Sequence, residues 1–258
     1  MNPFDKNFNA HIATIPSRIN GMIVRKKPNI TYVDTGIHSE TFNIIHITNG
    51  HHISAHEIQS AVDHFETVDR PFTIWIGKNQ LNETVKSILG NLNLIQLQSS
   101  PGMRLDLENN TMTYKFEPST IKLAISKEDI RIYSALLADL WTPADPDIVS
   151  YYDRATKTIL EKSLPVKYAL YYHQEIAVAG LEMCITDQEV MGVYGLVTAK
   201  PLRALGIGTA LMNFALAHAQ EHHLKSVVLL ASNMGLTLYK SLGFKTVTQY
   251  YEYGFEPN

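Results

Sequence analysis

Cysteine is nearly absent: Cys184 stands alone in 258 residues, which excludes an intrachain disulfide. Long hydrophobic runs are missing too. The first thirty or so positions mix Asp, Lys, Asn, His and Arg without an apolar core, and nowhere do about eighteen apolar residues follow one another, so neither a leader nor a spanning helix is expected. The expectation is a cytoplasmic protein without membrane contact. Charge of one sign is also scarce, and a net charge of −3 leaves no electrostatic footprint for nucleic acid. No HExxH arrangement exists, and the pairs His51-His52 and His222-His223 are neighbours whose side chains diverge, so no metal site is expected. Low-complexity tracts and Pro/Gly/Ser linkers are lacking as well.

What is present is enough apolar material, 45% of the chain, for one large core or two smaller ones in a chain longer than a usual single domain. The division is expected near Asn109 to Ser119, where Asn109-Asn110 and Pro118 flank a short Thr/Tyr/Phe run that reads as a bridging strand. Upstream, Ser54-Ala-His-Glu57 spells a capping box that opens a helix through Val62 and Phe65. Phe72 to Ile76 then reads as a strand and Leu81 to Leu89 as a helix. Downstream, Ser126-Lys-Glu-Asp129 caps a helix carrying Ile130, Tyr133, Leu136, Leu137 and Leu140, which Trp141-Thr-Pro143 ends.

The most informative stretch follows the strand-like run Val193 to Thr198. Arg203, Ala204, Leu205, Gly206, Ile207 and Gly208 form an RxxGxG turn that opens a helix, with Thr209 following. Glycines let a backbone approach a ligand closely, and the orphan N–H groups of a first helical turn point at it with the positive end of the macrodipole. The ligand this suits is a pyrophosphate. A third glycine is absent, as is a Gly-Lys-Ser/Thr sequence, so neither a dinucleotide fingerprint nor a P-loop fits. The helix that follows is amphipathic, with Ile207, Leu211, Phe214 and Ala217 on one expected buried face. Val227 to Leu230 reads as a strand covered on both faces, then comes a helix with Leu236, Leu238 and Tyr239 closed by Gly243, and Phe244 to Tyr253 reads as a last strand.

Strand, RxxGxG, helix, apolar strand and Leu238-Tyr239-Lys-Ser-Leu-Gly243-Phe244 together resemble the GNAT superfamily of N-acetyltransferases, most strongly from Ile121 to Tyr253. Arg70-Pro-Phe-Thr-Ile-Trp75-Ile-Gly77, Pro101-Gly-Met-Arg-Leu-Asp106-Leu107 and Ala231-Ser-Asn-Met234-Gly235 resemble its bacterial tandem type, in which a degenerate half precedes an active one. The resemblance implies an α/β (α+β) fold of two GNAT-like domains, each a mixed central sheet flanked by helices. Residues 1–118 would be the degenerate domain and residues 119–258 the catalytic one. It further implies acetyl-CoA as cosubstrate and an amine-bearing acceptor, joined by direct attack in a ternary complex. The competing class is an acyl-CoA-binding regulatory or interaction protein.

Carried onto this chain, the resemblance places backbone groups of Leu196, Val197 and Thr198 beside the thioester and Arg203 through Thr209 around the pyrophosphate. It gives Tyr239 the task of protonating the departing thiolate. Many members have an asparagine seven positions before that tyrosine, where this chain has Ser232 followed by Asn233, and both are carried as cofactor contacts. The Trp141 to Tyr152 stretch lies where acceptors bind in the family, with ordinary packing as the competing reading of its aromatics. No general base is assigned. Glu182 lies in an apolar strand and would face either a wet cleft or the outside, with Tyr194 as a further candidate.

Overall fold

The computed structural model describes residues 2–108, 112–187 and 189–256. Along the chain run α1 (Pro3–Thr14), β1 (Ile23–Lys26), β2 (Ile30–Asp34), β3 (Ile44–Ile47), α2 (Ala55–Thr67), β4 (Thr73–Gly77), α3 (Glu83–Asn91) and β5 (Ile95–Asp106). They are followed by β6 (Ile121–Leu123), α4 (Lys127–Ala138), α5 (Pro146–Ile159), β7 (Val166–His173), β8 (Ile176–Thr186), β9 (Val190–Thr198), α6 (Ile207–Glu221), β10 (Ser226–Leu230), α7 (Leu236–Ser241) and β11 (Lys245–Gly254). The chain divides into two compact units: Met1–Met103 with Leu230–Ser232 and Thr246–Asn258, and Arg104–Leu229 with Asn233–Lys245.

In the first unit β1, β2 and β3 pair antiparallel, β3 pairs parallel with β4, and β11 returns antiparallel along β4 with Tyr250 opposite Gly77. Helix α2 begins where the capping box requires, with the Glu57 N–H donating to Ser54 Oγ at 3.3 Å and Ser54 N–H donating to Glu57 Oε2 at 2.9 Å. Its Ile58, Ala61, Val62 and Phe65 recur at helical spacing, so one face carries them all. That face packs with Ile45, Ile47, Ile74 and Ile76 in one core, where branched side chains suit strands covered by a helix. The strand and the second helix begin at Thr73 and Glu83, one and two residues later than the sequence suggested, because Asn82 rather than Leu81 caps α3 through its side chain.

The second unit is again a mixed sheet. Strands β6, β7, β8 and β9 pair antiparallel, and β9 pairs parallel with β10. Helix α4 starts at a second capping box, Ser126 with Asp129, and buries Ile130 and Tyr133. Helix α5, capped by Asp145 with Pro146 in its first turn, buries Ile148, Tyr151, Tyr152, Ala155 and Ile159. Helix α6 buries Ile207, Leu211, Met212, Ala215, Leu216 and Ala219. The expected face through Phe214 and Ala217 is therefore rotated, and both residues are only half-buried.

The reason for that rotation lies in the segment before β6. Residues 112–117 form no strand, contrary to the bridging strand expected there, and Asn109-Asn110 lie outside the described residues. The segment instead covers α6: Asn213 Nδ2 donates to the Lys115 carbonyl oxygen at 2.7 Å, and Phe116 meets Phe214 edge-on with ring centroids 5.5 Å apart. Phe214 thus packs on a covering segment and leaves Met212 and Leu216 to the sheet side.

Candidate active site

Strand β9 carries a discontinuity at the second of its two glycines, Gly195; glycine inside a strand is a sequence signal of a bulge. Gly195 has φ +54°, a conformation that side chains with a Cβ seldom adopt, and the β8–β9 register shifts between Gly180 and Glu182. The parallel register of β9 with β10 ends at Gly192 opposite Val228, while β9 runs on to Thr198. Leu196 to Thr198 therefore lie beyond the stretch of β9 paired with β10. Val197 is buried, whereas Leu196 and Thr198 are half-buried.

The turn after β9 folds back on it. Arg203 Nε donates to the Thr198 carbonyl oxygen at 3.1 Å, so this guanidinium is tied to the end of the strand. Ala204, Leu205 and Gly206 are exposed, and Ala204 and Gly206 both lie in the left-handed region, at φ +62° and +80°. Gly206 is the N-cap of α6 and supplies no side-chain cap; the first intrahelical bond runs from Ala210 N–H to the Gly206 carbonyl oxygen at 3.0 Å. The N–H groups of Ile207, Gly208 and Thr209 are thus the orphan donors of the helix start. A Cβ built at Gly206 would meet no protein atom within 4 Å. Gly208 is half-buried beside two leucines. Its Cβ would sit 3.4 Å from a Leu238 methyl and 4.0 Å from a Leu196 methyl, ordinary contacts that join the starts of α6 and α7 to β9.

One residue after Leu238, Tyr239 lies on the buried side of α7 against Phe244, with ring centroids 6.0 Å apart. Burial pushes its phenol up to about 12, which keeps it protonated at neutral pH. Among the described residues its hydroxyl accepts no hydrogen bond from the protein and donates none. The ring covers Gly235, where a Cβ would come within 2.6 Å of it. Asn233 begins the turn before α7 and is exposed; Ser232 is exposed and groups with the first unit. The structure therefore brings Leu196, Thr198, Arg203, Gly208 and the Leu238-Tyr239 helix into one neighbourhood.

Glu182 faces neither outward nor an open cleft. It is 4% exposed, and its register partners are Tyr168 on β7 and Tyr194 on β9. Tyr133 and Tyr152 complete an aromatic shell with Tyr168, their rings 5.0 to 6.0 Å apart. Burial pushes the phenols of Tyr133, Tyr151, Tyr152, Tyr168 and Tyr194 upward, and the negative charge of Glu182 adds to each. Of the acceptor stretch, Trp141 is exposed, Asp145 caps α5, and Tyr151 and Tyr152 belong to this core. The sequence places Tyr133 on a helix without a task, and Gly195 within β9 is the signal in the sequence for the bulge.

The comparisons with known proteins agree with this geometry. A family model described as an acetyltransferase (GNAT) domain matches residues 147–254. No curated protein matches the chain. Among solved structures, a GCN5-related N-acetyltransferase from Kribbella flavida covers 100% of this chain and 97% of its own, at TM-score 0.73 and 14% identity. An acetyltransferase of the GNAT family from Novosphingobium aromaticivorans covers 100% of both chains at TM-score 0.60 and 12% identity. A tandem GNAT protein from the clavulanic acid biosynthesis pathway covers 89% of this chain and 79% of its own, at TM-score 0.57 and 12% identity. The family model thus covers the C-terminal part of the chain, and the fold of the whole chain is similar to that of these GNAT proteins, including one described as tandem.

Proposed function

We propose that this chain transfers an acetyl group from acetyl-CoA to an amine by direct attack in a ternary complex. The observation that carries the reading is the start of α6, where orphan N–H groups follow an exposed, left-handed Gly206 whose Cβ position has no protein atom within 4 Å, next to a turn tied to the end of β9. That donor set suits a diphosphate, which several N–H groups and a helix dipole bind without a side-chain cation. Arg203 through Thr209 would hold the diphosphate, and Leu196, Val197 and Thr198 would present backbone groups to the pantetheine and thioester. Ser232 and Asn233 are carried as further cofactor contacts on the family resemblance alone.

In the reaction the neutral amine attacks the thioester carbonyl carbon, negative charge collects on its oxygen, and the C–S bond breaks as the amide forms. Tyr239 donates its phenolic proton to the departing sulfur, the ammonium proton of the intermediate passes to solvent, and the phenolate takes a proton back from solvent to complete the cycle. A phenol that stays protonated and has no hydrogen bond to the protein is a suitable donor. We assign catalysis to residues 119–258 and read residues 1–118 as a degenerate GNAT-like half without a diphosphate seat, so one acetyl-CoA binds per chain. Among the described residues no helix is long and apolar enough to cross a membrane, which accords with a cytoplasmic setting.

Turnover of acetyl-CoA across a panel of amines, set against stoichiometric acetyl-CoA binding, tests this reading. Acetylated product with at least one amine is expected. Tight binding with no turnover on any amine would favour the acyl-CoA-binding regulatory protein instead.

A further inference from the structure

Tyr133 occupies a position that two glycines on adjacent strands keep clear. A Cβ at Gly180 on β8 would come within 2.7 Å of its ring, and a Cβ at Gly195 on β9 would collide with its hydroxyl. The residue is fully buried. Its hydroxyl donates to the Gly195 carbonyl oxygen at 3.1 Å, at the one residue of β9 with a left-handed backbone. Edge-on contacts with Tyr152 of α5 and Tyr168 of β7 fix the ring from two sides. A side chain from α4, packed against a side chain from α5, is thereby bonded to the bulge of β9.

We propose that Tyr133 is a positioning residue of the acyl-transfer site: through its bond to Gly195 it sets the bulge of β9 and thereby the backbone groups of Leu196 to Thr198. The proposal rests on the acyl-transfer reading above. A bulge re-aims the residues that follow it. A carbonyl that accepts from a buried phenol is fixed in direction, and so is the peptide N–H of Leu196 on its other side, because the peptide is planar. Tyr133 touches no reacting atom in this account. Its contribution is the orientation of a peptide unit beside the thioester, where small misplacements cost rate more than binding.

The test compares the wild-type protein with Tyr133→Phe, which keeps the ring and removes the hydroxyl. Three quantities are read: hydrogen exchange of a peptide spanning residues 190–198, the acetyl-CoA dissociation constant by calorimetry, and the rate of thiol release from saturating acetyl-CoA. Loss of one buried hydrogen bond should raise exchange in that peptide about fivefold, with α6 unchanged. Thiol release should fall by a similar factor or more, while the dissociation constant stays within about twofold. Tyr152→Leu, which keeps Tyr133 and removes its edge-on ring neighbour, should shift the same peptide less, and it serves as well if Tyr133→Phe fails to fold. Exchange that rises uniformly across the unit, or that is unchanged with thiol release intact, would overturn the proposal while acetyl-CoA still binds. A wild-type protein that binds no acetyl-CoA would overturn the acyl-transfer reading and this proposal together.

Discussion

Replacing Gly206 with valine separates what the turn does for the fold from what it does for a ligand. The backbone there has φ +80°, and a branched side chain in the left-handed region costs about 1–2 kcal/mol. No protein atom lies within 4 Å of the added Cβ, so no clash adds to that strain. For a chain of this size the loss lowers Tm by about 2–8 °C. The ligand term has a different origin. The valine side chain would stand at the N-cap beside the orphan N–H groups of α6, where the diphosphate would approach. A weakening of acetyl-CoA binding by about tenfold or more is expected, equivalent to losing at least about 1.4 kcal/mol of ligand stabilisation. Differential scanning fluorimetry with and without acetyl-CoA reads both quantities, and calorimetry gives the constant directly. Gly208→Ala is the control for folding, because its Cβ makes only ordinary contacts with Leu238 and Leu196 and alanine favours a helix. A folded Gly206→Val protein with wild-type affinity would remove this turn from the acetyl-CoA site.

Three further outcomes follow from the same structure. Tyr239→Phe should slow transfer by about tenfold to a thousandfold with little change in acetyl-CoA affinity, and single-turnover rates equal to wild type would make Tyr239 a packing residue. Gly235→Ala should push the Tyr239 ring from its seat, since the new Cβ lies 2.6 Å from it, so turnover should fall while the Tyr239 side chain remains; an unaltered rate would show that the ring's position is immaterial. In the first unit, His46 is fully buried, and burial lowers its imidazole from the ordinary 6.5 to about 3. The unfolded chain takes up this proton below about pH 6.5 and the native chain does not. Stability from this group is therefore complete above that pH and falls as pH drops towards about 3, by roughly 2 kcal/mol between pH 7 and 5. Urea midpoints at the two pH values, in wild type and His46→Phe, check this; an equal drop in both would assign it to other groups.

Much of the site's scaffold was written locally. The capping boxes at Ser54-Glu57 and Ser126-Asp129, the N-terminus of α6 at Ile207 and the left-handed Gly243 were each legible because a few consecutive residues specify them. What local pattern could not supply were partners distant in the chain. The face of α6 depended on a segment about a hundred residues upstream, held through Asn213 and Phe214, which no period within the helix encodes. Glu182 offered an apolar strand as context, and only the pairing of β8 with β7 and β9 shows that tyrosines flank it. Tyr133 was legible as a helical apolar residue, yet its task lies sixty-two positions away at Gly195.

Calorimetric titration of the wild-type protein with acetyl-CoA tests the central claim most directly. One molecule bound per chain is predicted, with the heat lost or the affinity reduced about tenfold or more in Gly206→Val. No binding, two equivalent sites per chain, or a single site indifferent to that substitution would contradict the assignment of acetyl-CoA to the start of α6.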